Sequence, residues 1–330
     1  MQKNKQSFPQ FNNNSLKSIK TLFVLLAAMI SLSVFSQKVE AEVLFEGYYK
    51  VTLSGVHAGY IVQRYELDAA KKTFTGMSYA YIRLNEDGKQ FLTESLVAKS
   101  DDTFHPLSYQ FSGLMTEKDP NTEKIKNKIT SIDATFKKVG NKTRGTLKGL
   151  KDGKNFTNTV SFDRGVFLSN FLLYLWLQKG FKVGFGTGFN AFAEESGEVA
   201  QGKYKIEKEA KVNGVDAFKI NWSFKGMDSV SFISVTGQAL STESPAQGVI
   251  QELVSSKDAA VGSLPFADKS VKALFGGIPE GKKNTLADNA SKPAPKVAPH
   301  MQPSTDEANP GVKVKPPTTP PPSESSETNQ

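Results

Sequence analysis

No cysteine occurs in the 330 residues, which excludes disulfides, a thiolate nucleophile and a lipidated amino-terminal cysteine. Whatever folds here is held by its core alone. Histidine is nearly as scarce. His57, His105 and His300 lie far apart in the chain, and none stands near a second ligand-type residue at metal-binding spacing. His57 falls at a hairpin turn and His105 before a proline, positions that suit solvated or locally bonded imidazoles better than a general base. The paired acids Asp101–Asp102 and Glu194–Glu195 read as loop markers. The stretch "GFGTGF", residues 184 to 189, lacks the GKS or GKT ending of a phosphate loop and reads as a flexible link. With no catalytic, metal or cofactor signature, the sequence predicts a non-enzymatic protein without cofactors.

Long apolar runs are also few. One is "TLFVLLAAMISLSVF", residues 21 to 35, which follows a basic leader with Lys17 and Lys20 and precedes the small residues Val39 and Ala41. This is the pattern of a signal peptide, residues 1 to 41, cleaved near Ala41 to give a periplasmic protein. The alternative, an uncleaved anchor, is disfavoured because a bilayer span needs roughly 20 apolar residues. The leader carries five of the 41 basic residues and one of the 33 acids. Its removal leaves 36 against 32, a formal +4. So small an excess, without a clustered basic face, gives no reason to propose nucleic acid as a partner.

Proline is sparse until the end, where ten of 16 follow residue 290. Residues 281 to 330 therefore read as a disordered, Pro-rich tail: too little apolar surface to offset ordering, and extended polyproline geometry as a spacer or a docking segment for an envelope protein. Before it, residues 256 to 280 include "DKSVKALF", a short, partly helical extension.

Residues 42 to 255 read as strands joined by tight turns. "YYKVTLSGVHAGYIVQRYELD" makes a hairpin about Gly55. "FTGMSYAYIRL" and "QFLTESLVAK" flank "NEDGK", and Asn213–Gly214 suits a type I′ turn. In "AFKINWSFK", Phe218, Ile220, Trp222 and Phe224 share one face and four polar residues the other. Turns at roughly ten-residue spacing predict an antiparallel meander.

The second apolar run is "GVFLSNFLLYLWLQKG", with ten apolar or aromatic residues in the twelve positions from Val166 to Leu177. It is long for a strand and rich in leucine, so a helix near 166 to 179 is predicted, capped by Asp163 and ended by Gly180. Asn170, Tyr174 and Gln178 form its only polar seam. A helix apolar over most of its circumference has to be surrounded. The predicted fold is therefore mainly β: a single, strongly curved antiparallel sheet, a half-barrel, wrapped around one apolar helix. Tyr49, Val51, Leu172, Trp176, Phe218 and Trp222 are its candidate interior residues, core first and ligand contacts second.

The amino-terminal pattern with its Gly55 and Gly59 spacing, "HPLSYQFSG" at 105 to 113, the apolar helix with its Gly-rich link, and "FISVTGQAL" together resemble an exported bacterial β-rich family of unknown function. The resemblance spans roughly residues 44 to 255 and implies a curved sheet similar to the half-barrel of periplasmic lipoprotein carriers. By that analogy an acyl chain or other apolar small molecule would sit between helix and sheet. The alternative is an envelope scaffold that engages a partner through residues 281 to 330.

Overall fold

The computed structural model describes residues 41 to 290, apart from 86 to 88, 119 to 121, 123, 152 and 282. The predicted signal peptide and all of the tail beyond Ala290 lie outside the described residues. Strands β1 (Glu42–Leu53), β2 (Val56–Asp68), β3 (Thr73–Arg83), β4 (Phe91–Asp101), β5 (Pro106–Lys118), β6 (Ile125–Val139), β7 (Lys142–Lys151) and β8 (Lys154–Asp163) run as one meander. After them come β9 (Phe167–Leu168), a 3-10 turn (Ser169–Phe171) and helix α1 (Leu172–Lys179). A second meander follows: β10 (Gly186–Ala193), β11 (Glu198–Val212), β12 (Val215–Phe224), β13 (Met227–Ser234), β14 (Ala239–Ser244) and β15 (Val249–Val254). The chain continues through α2 (Lys257–Val261), α3 (Asp268–Phe275) and α4 (Leu286–Ala290).

All the strands belong to one 15-stranded sheet. Its spatial order is the two meanders set back to back, joined where β1 pairs antiparallel with β15 in the register Tyr49↔Leu253. The turns are those the sequence dictates: at Asn213–Gly214 both residues have positive φ, 51° and 82°, as a type I′ turn requires. β8 and β9 are the two outer strands, yet only residues 164 to 166 separate them in sequence. Three linking residues span at most ~14 Å, whereas the edges of a flat sheet of this size would stand about 65 Å apart. The sheet is therefore rolled, without closing by hydrogen bonds into a barrel.

The roll is filled by α1 and by the sheet's own end. Phe192 of β10 packs on Tyr109, Phe136 and Phe162 of β5, β6 and β8, with ring centroids 5.3 to 5.8 Å apart. Fully buried Ala191 and Ala193 flank it. Helix α1 answers for the rest: Tyr174 lies against Phe74 and Phe104, and Trp176 against Tyr204 and Trp222.

The predicted helix is shorter than expected. Its first part, Phe167–Leu168, is strand β9, which pairs parallel with β10. A short apolar run carries no periodicity that tells strand from helix, and here pairing with β10 wins. Asp163 ends β8 rather than capping α1, while Gly180 does end the helix, its N–H donating to the Leu177 carbonyl. The supposed flexible link at 184 to 189 also needs correction, because Gly186 to Phe189 open strand β10. There, a Cβ on Gly186 would strike the Tyr204 carbonyl, so glycine serves close strand approach.

The opposite face of β1–β3 is covered too. Tyr48, Tyr60, Val62, Met77, Tyr79 and Tyr81 pack against Ala260, Val261, Leu264, Val271 and Phe275 of the carboxy-terminal extension. Order extends past the predicted boundary at 281. Glu46 N–H donates to the Lys283 carbonyl, Thr285 N–H to the Leu44 carbonyl, and Leu286 is buried.

Candidate functional site

The sheet's outer end and α1 meet at Glu194, the residue directly after β10. Parallel pairing of β9 with β10 brings the 3-10 turn over this carboxyl. Ser169 Oγ donates to Glu194 Oε2, and the Asn170 N–H donates to Oε1 at 3.2 Å. Neither Leu168 nor Phe171, the residues preceding the 3-10 turn and α1, has a side chain able to cap. Glu194 supplies from a distant part of the chain the acceptors they lack. On the other side, Tyr65 Oη donates to the Asn170 carbonyl at 2.7 Å and accepts from Gln63 Nε2 at 2.8 Å. Gly76 makes room for Asn170, whose side chain would collide with any Cβ there.

Glu194 is only 2% exposed. Burial pushes its pKa up from 4.5 to about 7, against the bonds from Ser169 and Asn170 that hold it down. The neighbouring tyrosines respond in kind: Tyr65 and Tyr109 are raised by burial, with the Glu194 charge adding to both. Glu94 is raised by burial and then by the charge of Glu195. The buried Tyr49 and Tyr109 hydroxyls and Asn170 Oδ1 have no hydrogen-bond partner among the described residues. Such an arrangement holds a proton near neutrality and fixes the start of α1. The histidines contribute nothing to it: His57 Nε2 lies 2.9 Å from the Ala260 carbonyl, and His105 Nδ1 lies 3.4 Å from Thr143 Oγ1. Among the described residues, no cluster of three metal-ligating side chains occurs.

Beside α1 runs an open groove of ≈ 420 Å³. Val166, Phe167, Leu172, Trp176, Phe189 and Tyr204 supply its apolar and aromatic side, from the link before β9 and from β9, α1, β10 and β11. Gly202 deepens it, since a Cβ there would meet the Phe189 ring. Asp163, Arg164 and Lys179 are the charged residues of its lining.

The six candidate residues fall in different places. Leu172 and Trp176 line the groove. Trp222 stands behind it, ring to ring with Trp176 at 6.0 Å, its Nε1 donating to Ser231 Oγ. Phe218 is half-buried against Phe181 beyond the helix end. Tyr49 is buried in the core near Tyr65, and Val51 on the same strand is fully buried. From sequence, Glu194 reads only as a loop marker and Asn170 only as part of the helix's polar seam, and Ser169, Tyr204 and the cations Arg164 and Lys179 are not singled out. The uninterrupted burial of Ala191 to Ala193, a run of three rather than an alternation, was the one local sign that the acid following it is inside.

No protein-family model matches the chain, and no curated protein matches it either. Among solved structures, it is similar to the crystal structure of a beta-barrel-like protein of a domain of unknown function, DUF1849, from Brucella abortus. That similarity is 13% identity with a TM-score of 0.46, covering 64% of this chain and 98% of the other.

Proposed function

We propose that this chain is a non-enzymatic, exported periplasmic binding protein whose rolled sheet acts as a half-barrel, taking an acyl chain or other apolar small molecule beside α1. The groove carries the proposal: its volume of ≈ 420 Å³ falls within the range of small-molecule sites, and Leu172, Trp176, Phe189 and Tyr204 give it an apolar, aromatic side along which a chain could lie.

Titrating the protein with long-chain lipids and surfactants, read by tryptophan emission in a Trp222→Phe background, tests it. Trp176 in the groove wall then reports alone, and saturable blue shifts are expected. If no long-chain compound of any headgroup shifts the emission, the binding reading fails. The second reading, an envelope scaffold acting through residues 281 to 330, is favoured by one observation: the interior of the roll is occupied by α1 and Phe192. Loss of a specific envelope partner on deletion of residues 291 to 330, with emission indifferent to lipids, is its signature.

A further inference from the structure

The groove is lined by buried apolar and aromatic side chains together with polar ones, Thr187, Asn190 and Gln201 among them, and by two exposed cations, which constrains what can enter it. Arg164 sits in the three-residue link between β8 and β9, and Lys179 ends α1; both are exposed and both belong to the groove lining. Neither guanidinium nor ammonium has a hydrogen bond or ion pair with any described residue. Burial lowers the Lys179 pKa, and no carboxylate opposes that shift. The one acid of the lining, Asp163, is turned to solvent with its side chain 80% exposed and faces Lys142 Nζ at 3.8 Å. At the mouth, then, two positive charges lack counter-ions while the single negative charge already has one.

We infer that the ligand is an anionic single-chain amphiphile, its carboxylate or phosphate held between Arg164 and Lys179 and its chain laid along Val166, Leu172, Trp176 and Tyr204. This rests on the binding proposed above and narrows it to a headgroup charge. Two further points agree with it. A cation in the last turn of α1 is favoured by the helix carbonyls, which works against the burial that lowers the Lys179 pKa. Arg164 offers the planar fork that suits a two-oxygen anion. A cationic or zwitterionic headgroup would instead meet the two free positive charges.

The test compares a saturated fatty acid, the primary alcohol of the same chain length and the matching alkyl phosphate, each by Trp176 emission in the full chain. The acid and the phosphate are expected to bind at least tenfold more tightly than the alcohol, with the advantage shrinking as salt rises. In the Arg164→Ala/Lys179→Ala variant that advantage should vanish while alcohol affinity is unchanged; Arg164→Lys/Lys179→Arg, which keeps the charges, should retain most of it. Equal affinity for acid and alcohol overturns the headgroup assignment and leaves the apolar site standing. A preference that survives the double alanine variant overturns it as well, placing the anion elsewhere. If none of the three binds, the groove is not a ligand site, and the inference falls together with the proposal beneath it.

Discussion

At the scale of single residues, the unusual one is Glu194. Its pKa in the fold, about 7, lies above the 4.5 of an unperturbed glutamate, so between those values the folded chain carries a proton that the unfolded chain has released. Stability contributed by this group is therefore full below pH 4.5 and is lost as pH rises towards 7, by roughly 3 kcal/mol across the window. Denaturant unfolding at pH 5 and pH 8 should show that loss, and Glu194→Gln, which cannot ionise, should flatten it. An unchanged pH slope in the variant would mean that the carboxyl titrates normally. A second residue-level prediction concerns the interior. Trp176→Asp puts a charge among Tyr204, Phe189 and Trp222, and Leu172→Asp puts one at another buried core position; each is expected to cost upwards of about 3 kcal/mol, measured as a fall in the unfolding midpoint. Soluble variants of wild-type stability would show this face of α1 to be free. Apart from the apolar run Ala191 to Ala193 before it, the chemistry around Glu194 was not legible in sequence. "FAEESGE" has the composition of a loop, and the acid is buried only because the roll brings the end of β10 beneath a turn 25 residues earlier.

At the scale of elements, the strands were legible and the covering segments were not. Alternation along β12, the Asn213–Gly214 turn and the hairpins about Gly55 and Gly140 are local properties, written within ten or fifteen residues. Which face of β1–β3 receives α2 and α3 is a long-range matter, since Ala260 and Phe275 meet Tyr60 and Met77 some 200 positions earlier. That extension, a short and partly helical one by sequence, is tied down by a buried ion pair. Arg64 donates to Glu46 at 2.7 to 2.8 Å and to the Phe275 carbonyl at 2.8 Å, and Glu46 accepts from the Gly281 N–H. Removing one partner strands the other. Glu46→Ala is accordingly expected to cost about 3 to 5 kcal/mol and to open residues 257 to 281 to protease before the sheet unfolds. In the unaltered chain, limited proteolysis should stop near Ala290, with the fragment keeping the full midpoint. Cleavage that settles near residue 255 instead would show the extension to be dispensable.

At the scale of the whole molecule, curvature is expected from sequence because one helix needs surrounding, whereas the strand order supplies a separate constraint on the sheet. Three residues between β8 and β9 force the edges together whatever lies inside. That constraint is visible only once the strand order is known, because sequence gives the length of a link but not which strands are outermost. Localisation belongs to this scale as well. Expressed in a host with a functioning export pathway, the mature chain is expected to begin at or within a few residues of Glu42 by amino-terminal sequencing, and a soluble cytoplasmic form beginning at Met1 would remove the periplasmic assignment.

The seam between β1 and β15 makes the birth of the molecule a waiting game. The first strand of the described residues to leave the ribosome has its final neighbour about 200 residues behind it, with Tyr49 paired to Leu253. At translation rates of 5 to 20 residues per second, that neighbour arrives ~10 to 40 s later. Until then β2–β8 can stack hairpin by hairpin onto one side of β1, while its other side and the tyrosines later covered by α2 and α3 stand open. A nascent chain in that condition invites pairing with its neighbours on the same message, and a chaperone that shields strand edges would act in this interval.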